Sequence, residues 1–180
     1  MSIYRQVAGI PYRREHLGTG DQAIYSTITK ISDIIRASYV NPYVRRFAEK
    51  IIEGVPVNDK VEEVRAIHKF VSQKVRYTKD PYGMEYLQTP PTLLKMIEQG
   101  EKPAGDCDDM TMLSLSLLKS VGFPVAVKVT SYSPDGRFAH IYGLVYLNKI
   151  GWMPVECVRG DYPLGWEAPN ATRQIESEVR

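Results

Sequence analysis

The sequence predicts an α+β domain, with a helical first half and an antiparallel sheet in the second. Three observations predict it. Apolar residues recur at helical spacing from Ile24 to Val75 and again beyond Cys107, the period switches to alternation at Val125, and turn sequences separate the alternating runs.

Residues 1–20 read as an irregular polar lead ending in Gly18-Thr19-Gly20. Ile24, Ile28, Ile31, Ile34 and Ile35 then share one side of an amphipathic helix. Asn41-Pro42 supplies a cap and a first-turn proline for a second helix carrying Val44, Phe47, Ala48, Ile51 and Ile52, which stops at Gly54. A third begins near Asn58-Asp59 and shows Val61, Val64, Ile67, His68, Val71 and Val75 on one face. The run from Arg76 to Pro91 is dense in proline, glycine and tyrosine, so it reads as an ordered functional loop with short extended pieces. Leu93, Leu94 and Ile97 suggest a short helix ending at Gly100, and a strongly apolar, buried helix follows from Cys107 to Val121, closed by Gly122 and Pro124.

Val125, Val127 and Val129 begin the sheet, and Ser133-Pro134-Asp135-Gly136 is a turn. A second strand puts Phe138, His140, Tyr142, Leu144 and Tyr146 on one face, with His140 in mid-strand, and a third runs from Gly151 to Val158. The chain beyond Arg159 shows no readable period. The expected organisation is a lead (1–20), one domain (21–169, helical to residue 100 and catalytic over 101–160) and a tail (170–180).

Composition narrows the function classes. The chain has 180 residues, 43% hydrophobic and 24% charged, enough for one substantial core. Its net charge of +2 arises from interleaved charges, which argues against a nucleic-acid partner. No stretch approaches the roughly 20 apolar residues of a membrane span, and the start lacks the apolar core of a signal peptide. The expectation is a cytoplasmic protein without membrane partners. Two cysteines make no disulfide framework, and no short Cys/His spacing suggests a metal or other cofactor.

Cys107 is the candidate nucleophile. Gly105-Asp106 caps its helix, which places the thiol in the first turn, where the dipole and free N–H groups favour a thiolate and an oxyanion. Asp106, Asp108 and Asp109 oppose that thiolate, so a neighbouring imidazolium becomes necessary. Of His16, His68 and His140, the second lies on an apolar helix face and reads as a core residue, the first lies in the lead, and His140 is the best base. Glu156 lies at an even offset across a tight turn from His140, which puts both on one sheet face, opposite or diagonal, with Cys157 turned away as a small core residue. Asp161 is the alternative acid. Tyr77, Tyr86 and Gln88, in the long loop, carry donors suited to an oxyanion. Taken singly, a buried Cys107, a strand histidine bonded to a tyrosine and a solvated edge glutamate are ordinary structural residues; their coincidence in this order points to a triad, which the geometry permits.

The runs Gly105-Asp106-Cys107-Asp108-Asp109, Phe138-Ala139-His140-Ile141-Tyr142 and Gly151-Trp152-Met153-Pro154-Val155-Glu156 resemble the three active-site blocks of the transglutaminase-like superfamily. Val75-Arg76-Tyr77, Asp80-Pro81, Gln88-Thr89-Pro90 and Asn41-Pro42 resemble its small stand-alone members from tailed bacteriophages and prophages. The resemblance implies a papain-like core, with the nucleophile helix packed on an antiparallel sheet that carries histidine and acid. It implies thiol-dependent acyl transfer on amide or peptide bonds through a Cys107 thioester, with hydrolysis by a protease or amidase favoured over protein cross-linking. Its partners would be a protein or peptide substrate and other phage structural proteins. The alternative it allows is a non-enzymatic virion or assembly protein that keeps the fold. Position 156 departs from the pattern, which usually has aspartate there; the added methylene changes the reach to the imidazole.

Overall fold

The lead contains more structure than its composition suggests: Tyr4–Val7 (β1) and Ile10–Arg13 (β2) pair as an antiparallel hairpin. The computed structural model describes residues 4–7, 10–13, 20–80 and 86–180, so His16 and the middle of the long loop lie outside the described residues.

The helices form where spacing and caps predict them. Among α1 (Gly20–Tyr39), α2 (Pro42–Ile51) and α3 (Lys60–Lys74), α2 is capped by Asn41, which accepts from the Tyr43 N–H at 2.9 Å, and α3 by Asp59, which accepts from the Glu62 N–H at 3.1 Å. The stripes predicted from spacing supply the core: Ile28, Ile31 and Ile35, then Val44 and Ala48, then Val64, Ile67 and Val71. A short strand, β3 (Arg76–Tyr77), leads out of α3, and α4 (Pro90–Glu98) buries Leu93 and Leu94.

After β4 (Ala104–Gly105), the helix α5 (Cys107–Ser120) runs through the centre with only Cys107 and Lys119 not fully buried. It packs against α1 to α4 on one side and the sheet on the other. Leu113, Leu115, Leu117 and Leu118 are wholly covered, and each contributes about 1.5–3 kcal/mol by the area removed from water.

The sheet comprises β5 (Val125–Ser131), β6 (His140–Leu147), β7 (Gly151–Val155) and β8 (Arg173–Glu178), all antiparallel, in the order β7-β6-β5-β8. Val125, Val127, Val129, Ile141, Val145 and Leu147 enter the main core, while Ala126, Tyr142 and Leu144 form a small cluster on the other face. Gly143 permits the close approach of α5, since a Cβ there would lie 2.5 Å from Leu115 Cδ2.

Three details differ from the sequence reading. His140 opens β6 instead of lying in mid-strand, because the Ser133–Gly136 turn delays the ladder until the Ala139 N–H reaches Thr130 O at 3.1 Å. The third strand ends at Val155, one residue before Glu156. The tail joins the sheet as β8 beside the central β5, and Arg173 clasps Asp21 at the start of α1 with bonds of 2.8 and 2.7 Å. That strand carries Glu176 and Glu178 on its exposed side, which masks its apolar period.

Candidate active site

Asp106 is the N-cap of α5, and its Oδ1 accepts from the Asp108 N–H at 3.0 Å and the Asp109 N–H at 3.3 Å. Those two N–H groups are therefore engaged by the cap, and the first turn offers less to an oxyanion than its position in sequence suggests. Cys107 sits just beyond the cap. Its Sγ lies 3.5 Å from Asp108 Oδ1, and the Ile141 backbone N–H points at the sulfur from the start of β6. Burial pushes this thiol up from its ordinary value, and Asp108 and Asp106 push the same way; the Ile141 N–H only partly offsets them. These influences favour the thiol form of Cys107 and act in the same sense as the aspartate charges seen in the sequence.

The Ile141 contact brings the thiol beside the residue that follows His140. Continuing the register Gly143↔Val155 sets Glu156 level with Tyr142, one step diagonal from His140. Glu156 Oε2 meets His140 Nε2, and Oε1 accepts from the Val158 N–H at 3.1 Å. The glutamate is almost wholly buried, at 3% exposed, so both oxygens face protein rather than solvent. Because a carboxylate accepts, His140 carries its hydrogen on Nε2 and leaves the Nδ1 lone pair for another proton. The imidazole also stacks on Tyr142, with ring centroids 5.6 Å apart. Cys157, next in chain, is buried in the main core.

Asp161 stands apart: it is exposed and paired with Arg159 at 2.7 Å. Tyr77 is held close to the site by the parallel β3–β4 pair, through Arg76 N–H to Pro103 O at 2.8 Å and Thr78 N–H to Gly105 O at 2.9 Å. Burial, then the neighbouring acidic groups Cys107, Asp106, Glu156 and Asp108, push its phenol up to about 12, so it is a hydrogen-bond donor at neutral pH. Gln88 is already engaged. Its amide nitrogen donates to Ala104 O at 2.7 Å and Asp109 Oδ2 at 2.8 Å, while its backbone N–H donates to Asp109 Oδ1 at 2.7 Å. Both amide hydrogens are thus engaged within the protein, and Gln88 ties the long loop to α5. Gly105 makes room for this, since a Cβ there would lie 2.9 Å from Asp109 Cβ.

Two contacts of the site were not identified from the sequence. His68 Nε2 lies 2.6 Å from the Glu156 carbonyl oxygen, and Asp109 receives Gln88. A helical periodicity marks His68 as inward-facing and carries no information about which residue it meets. Among the described residues, Asp106, Cys107 and Asp108 form a group whose ligand atoms lie within 4.8 Å of one another, the place where a cation could be held.

The sequence model of the transglutaminase-like superfamily matches residues 45–157, which contain His68, Tyr77, Cys107, His140 and Glu156. The chain belongs to the transglutaminase-like superfamily. No curated protein matches it. Among solved structures, this superfamily member is similar to a candidate protease from Parabacteroides distasonis, at 12% identity and a TM-score of 0.57, covering 91% of this chain and 36% of that one. It is also similar to Legionella pneumophila LapG in its calcium-bound form, at 16% identity and a TM-score of 0.51, covering 81% of this chain and 80% of LapG. The chain thus spans about a third of the first relative and most of the second. These likenesses concern the fold: an α+β, papain-like core with the Cys107 helix against an antiparallel sheet. Among the described residues, no helix is long and apolar enough to cross a membrane.

Proposed function

We propose that this protein is a thiol-dependent hydrolase of amide or peptide bonds, with Cys107 as nucleophile, His140 as base and acid, and Glu156 as the group that orients the imidazole. The observation that carries it is the part-buried Glu156–His140 contact, which directs Nδ1 away from the acid at the strand start where Ile141 meets the Cys107 sulfur. Since the resting sulfur is a thiol, His140 Nδ1 takes its proton as the sulfur attacks the carbonyl carbon. The Tyr77 hydroxyl and the Cys107 N–H donate to the oxygen that becomes negative. As the intermediate collapses, the C–N bond breaks, His140 returns the proton to the leaving amine, and a thioester remains. Water, deprotonated by the same histidine, then attacks the thioester, the C–S bond breaks and the thiol is restored. An amine in place of water would give cross-linking; water is the default acceptor, and the superfamily's protease-described structural relatives support hydrolysis of a protein or peptide. The motifs around Tyr77 and Gln88 support a phage-encoded setting, with virion proteins as partners.

A second reading, a retained fold without catalysis, is favoured by the upward push on the thiol. Alkylation with iodoacetamide across about pH 5 to 9, read by mass spectrometry, separates the two. The catalytic reading expects Cys107 to label at least about tenfold faster at neutral pH than in His140→Ala, and labelled casein to be cleaved by the parent and not by Cys107→Ala. Slow labelling of Cys107 that is indifferent to His140→Ala would establish the inert reading.

A further inference from the structure

The pairing of β6 with β7 stops at Gly143–Val155, before it reaches His140. At the strand start the Ile141 N–H donates to the Cys107 sulfur. Glu156 lies beyond the end of the ladder that would otherwise hold its backbone. Helix α3 supplies the missing hold. His68, 5% exposed, brings Nε2 to 2.6 Å from the Glu156 carbonyl oxygen. A carbonyl accepts only, so the hydrogen is on His68 Nε2. Glu156 is consequently fixed at three points: its carbonyl by His68, Oε1 by the Val158 N–H and Oε2 by His140.

We propose that His68 is a positioning residue for the active site, whose Nε2–H clamps the Glu156 backbone and so sets the reach of its carboxylate to His140. The proposal rests on the catalytic reading above. It explains how a glutamate, longer by one methylene than the usual aspartate, still presents one defined geometry: the clamp sets where the longer side chain starts, and Val158 sets where it ends. Burial holds the ring towards its neutral form, as a donor from Nε2 with no added charge beside the acid requires.

Side chains that mimic one imidazole nitrogen at a time provide the test. Glutamine places an N–H near the Nε2 position, and asparagine near Nδ1. The assay is the pH profile of Cys107 alkylation by iodoacetamide, with labelling of the buried Cys157 as the report of unfolding. We expect His68→Asn to slow Cys107 labelling about tenfold and move the midpoint of the profile, and His68→Gln to stay within about twofold of the parent, as expected when a reacting pair is displaced by a fraction of an ångström. Cys157 should stay protected in both. If His68→Asn exposes Cys157, His68→Leu replaces it under the same criterion. Independently of any variant, a long-range nitrogen–proton spectrum of the parent must show the hydrogen of His68 on Nε2. A bare Nε2, or a folded His68→Asn or His68→Leu variant with the parent's profile, overturns the clamp. A parent whose Cys107 labels slowly, regardless of His140, overturns the catalytic reading and the clamp with it, whereas a reactive parent indifferent to His68 overturns the clamp alone.

Discussion

Gly143→Ala tests whether the distance between the Cys107 helix and the His140 strand is set by their packing. The added Cβ would lie 2.5 Å from Leu115 Cδ2 and 3.0 Å from Leu115 Cγ, against an optimal carbon–carbon separation of about 3.5–4.0 Å. About 1 Å of relief is needed. Leu115 is wholly buried among other core residues, so its side chain has no space to retreat into, and α5 must shift relative to β6. Overpacking of this kind costs about 1–3 kcal/mol. A shift approaching 1 Å between Cys107 and His140 would slow the chemistry by up to about a hundredfold. Urea unfolding reads the first effect, and the Cys107 alkylation rate under folding conditions reads the second. Leu115→Ala alone should cost about 2–5 kcal/mol by opening a cavity, while the double variant should be less destabilised than the two costs together and should recover reactivity. An unchanged urea midpoint and alkylation rate in Gly143→Ala, or strict additivity in the cycle, would refute the reasoning.

Three further perturbations report on neighbouring parts of the molecule. Glu156→Gln keeps the shape but replaces one acceptor with a donor facing His140 Nε2, so Cys107-dependent hydrolysis of labelled casein should fall by about two to four orders of magnitude with the fold retained by circular dichroism. Asp109 is pushed up from 3.8 to about 7, chiefly by burial, with the Gln88 bonds opposing. Its ionised form is thus disfavoured in the fold, and its contribution to stability is full below about pH 3.8 and lost as pH rises through about 7. Urea midpoints of Asp109→Asn relative to the parent should therefore be more favourable at about pH 8 than at about pH 4, and the reverse order would refute the assignment. Lys128→Met removes the cation that holds Glu167 at 2.6 Å and Glu176 at 3.1 Å; with both carboxylates partly exposed, a loss of about 1–2 kcal/mol is expected in urea unfolding.

Periodicity was enough to read α1, α2 and α3 nearly to their ends, because each buries one stripe and the last two carry the local caps Asn41 and Asp59, while α5 was legible from its apolar run and its Asp106 cap. It also separated Val125, Val127 and Val129 from the residues of the opposite face. The β8 strand was not legible. It lies at a sheet edge, and its partly buried Ile175 is flanked by polar residues, so no alternating apolar signal survives.

The sequence by itself determined the order of helices and strands, the cap that starts α5 at Cys107, and the even offset that puts Glu156 on the face of His140. These depend on contacts between residues near in the chain, or on a two-residue period that a short turn preserves. Tertiary structure alone decided the state and surroundings of the thiol. Burial and two carboxylates keep Cys107 protonated, the Ile141 N–H meets its sulfur, and His68, 88 residues from Glu156 in the chain, reaches the acid's carbonyl. Charge solvation and hydrogen bonding depend on what surrounds a group in space. For Cys107 and Glu156, those surroundings come from elements distant in the sequence.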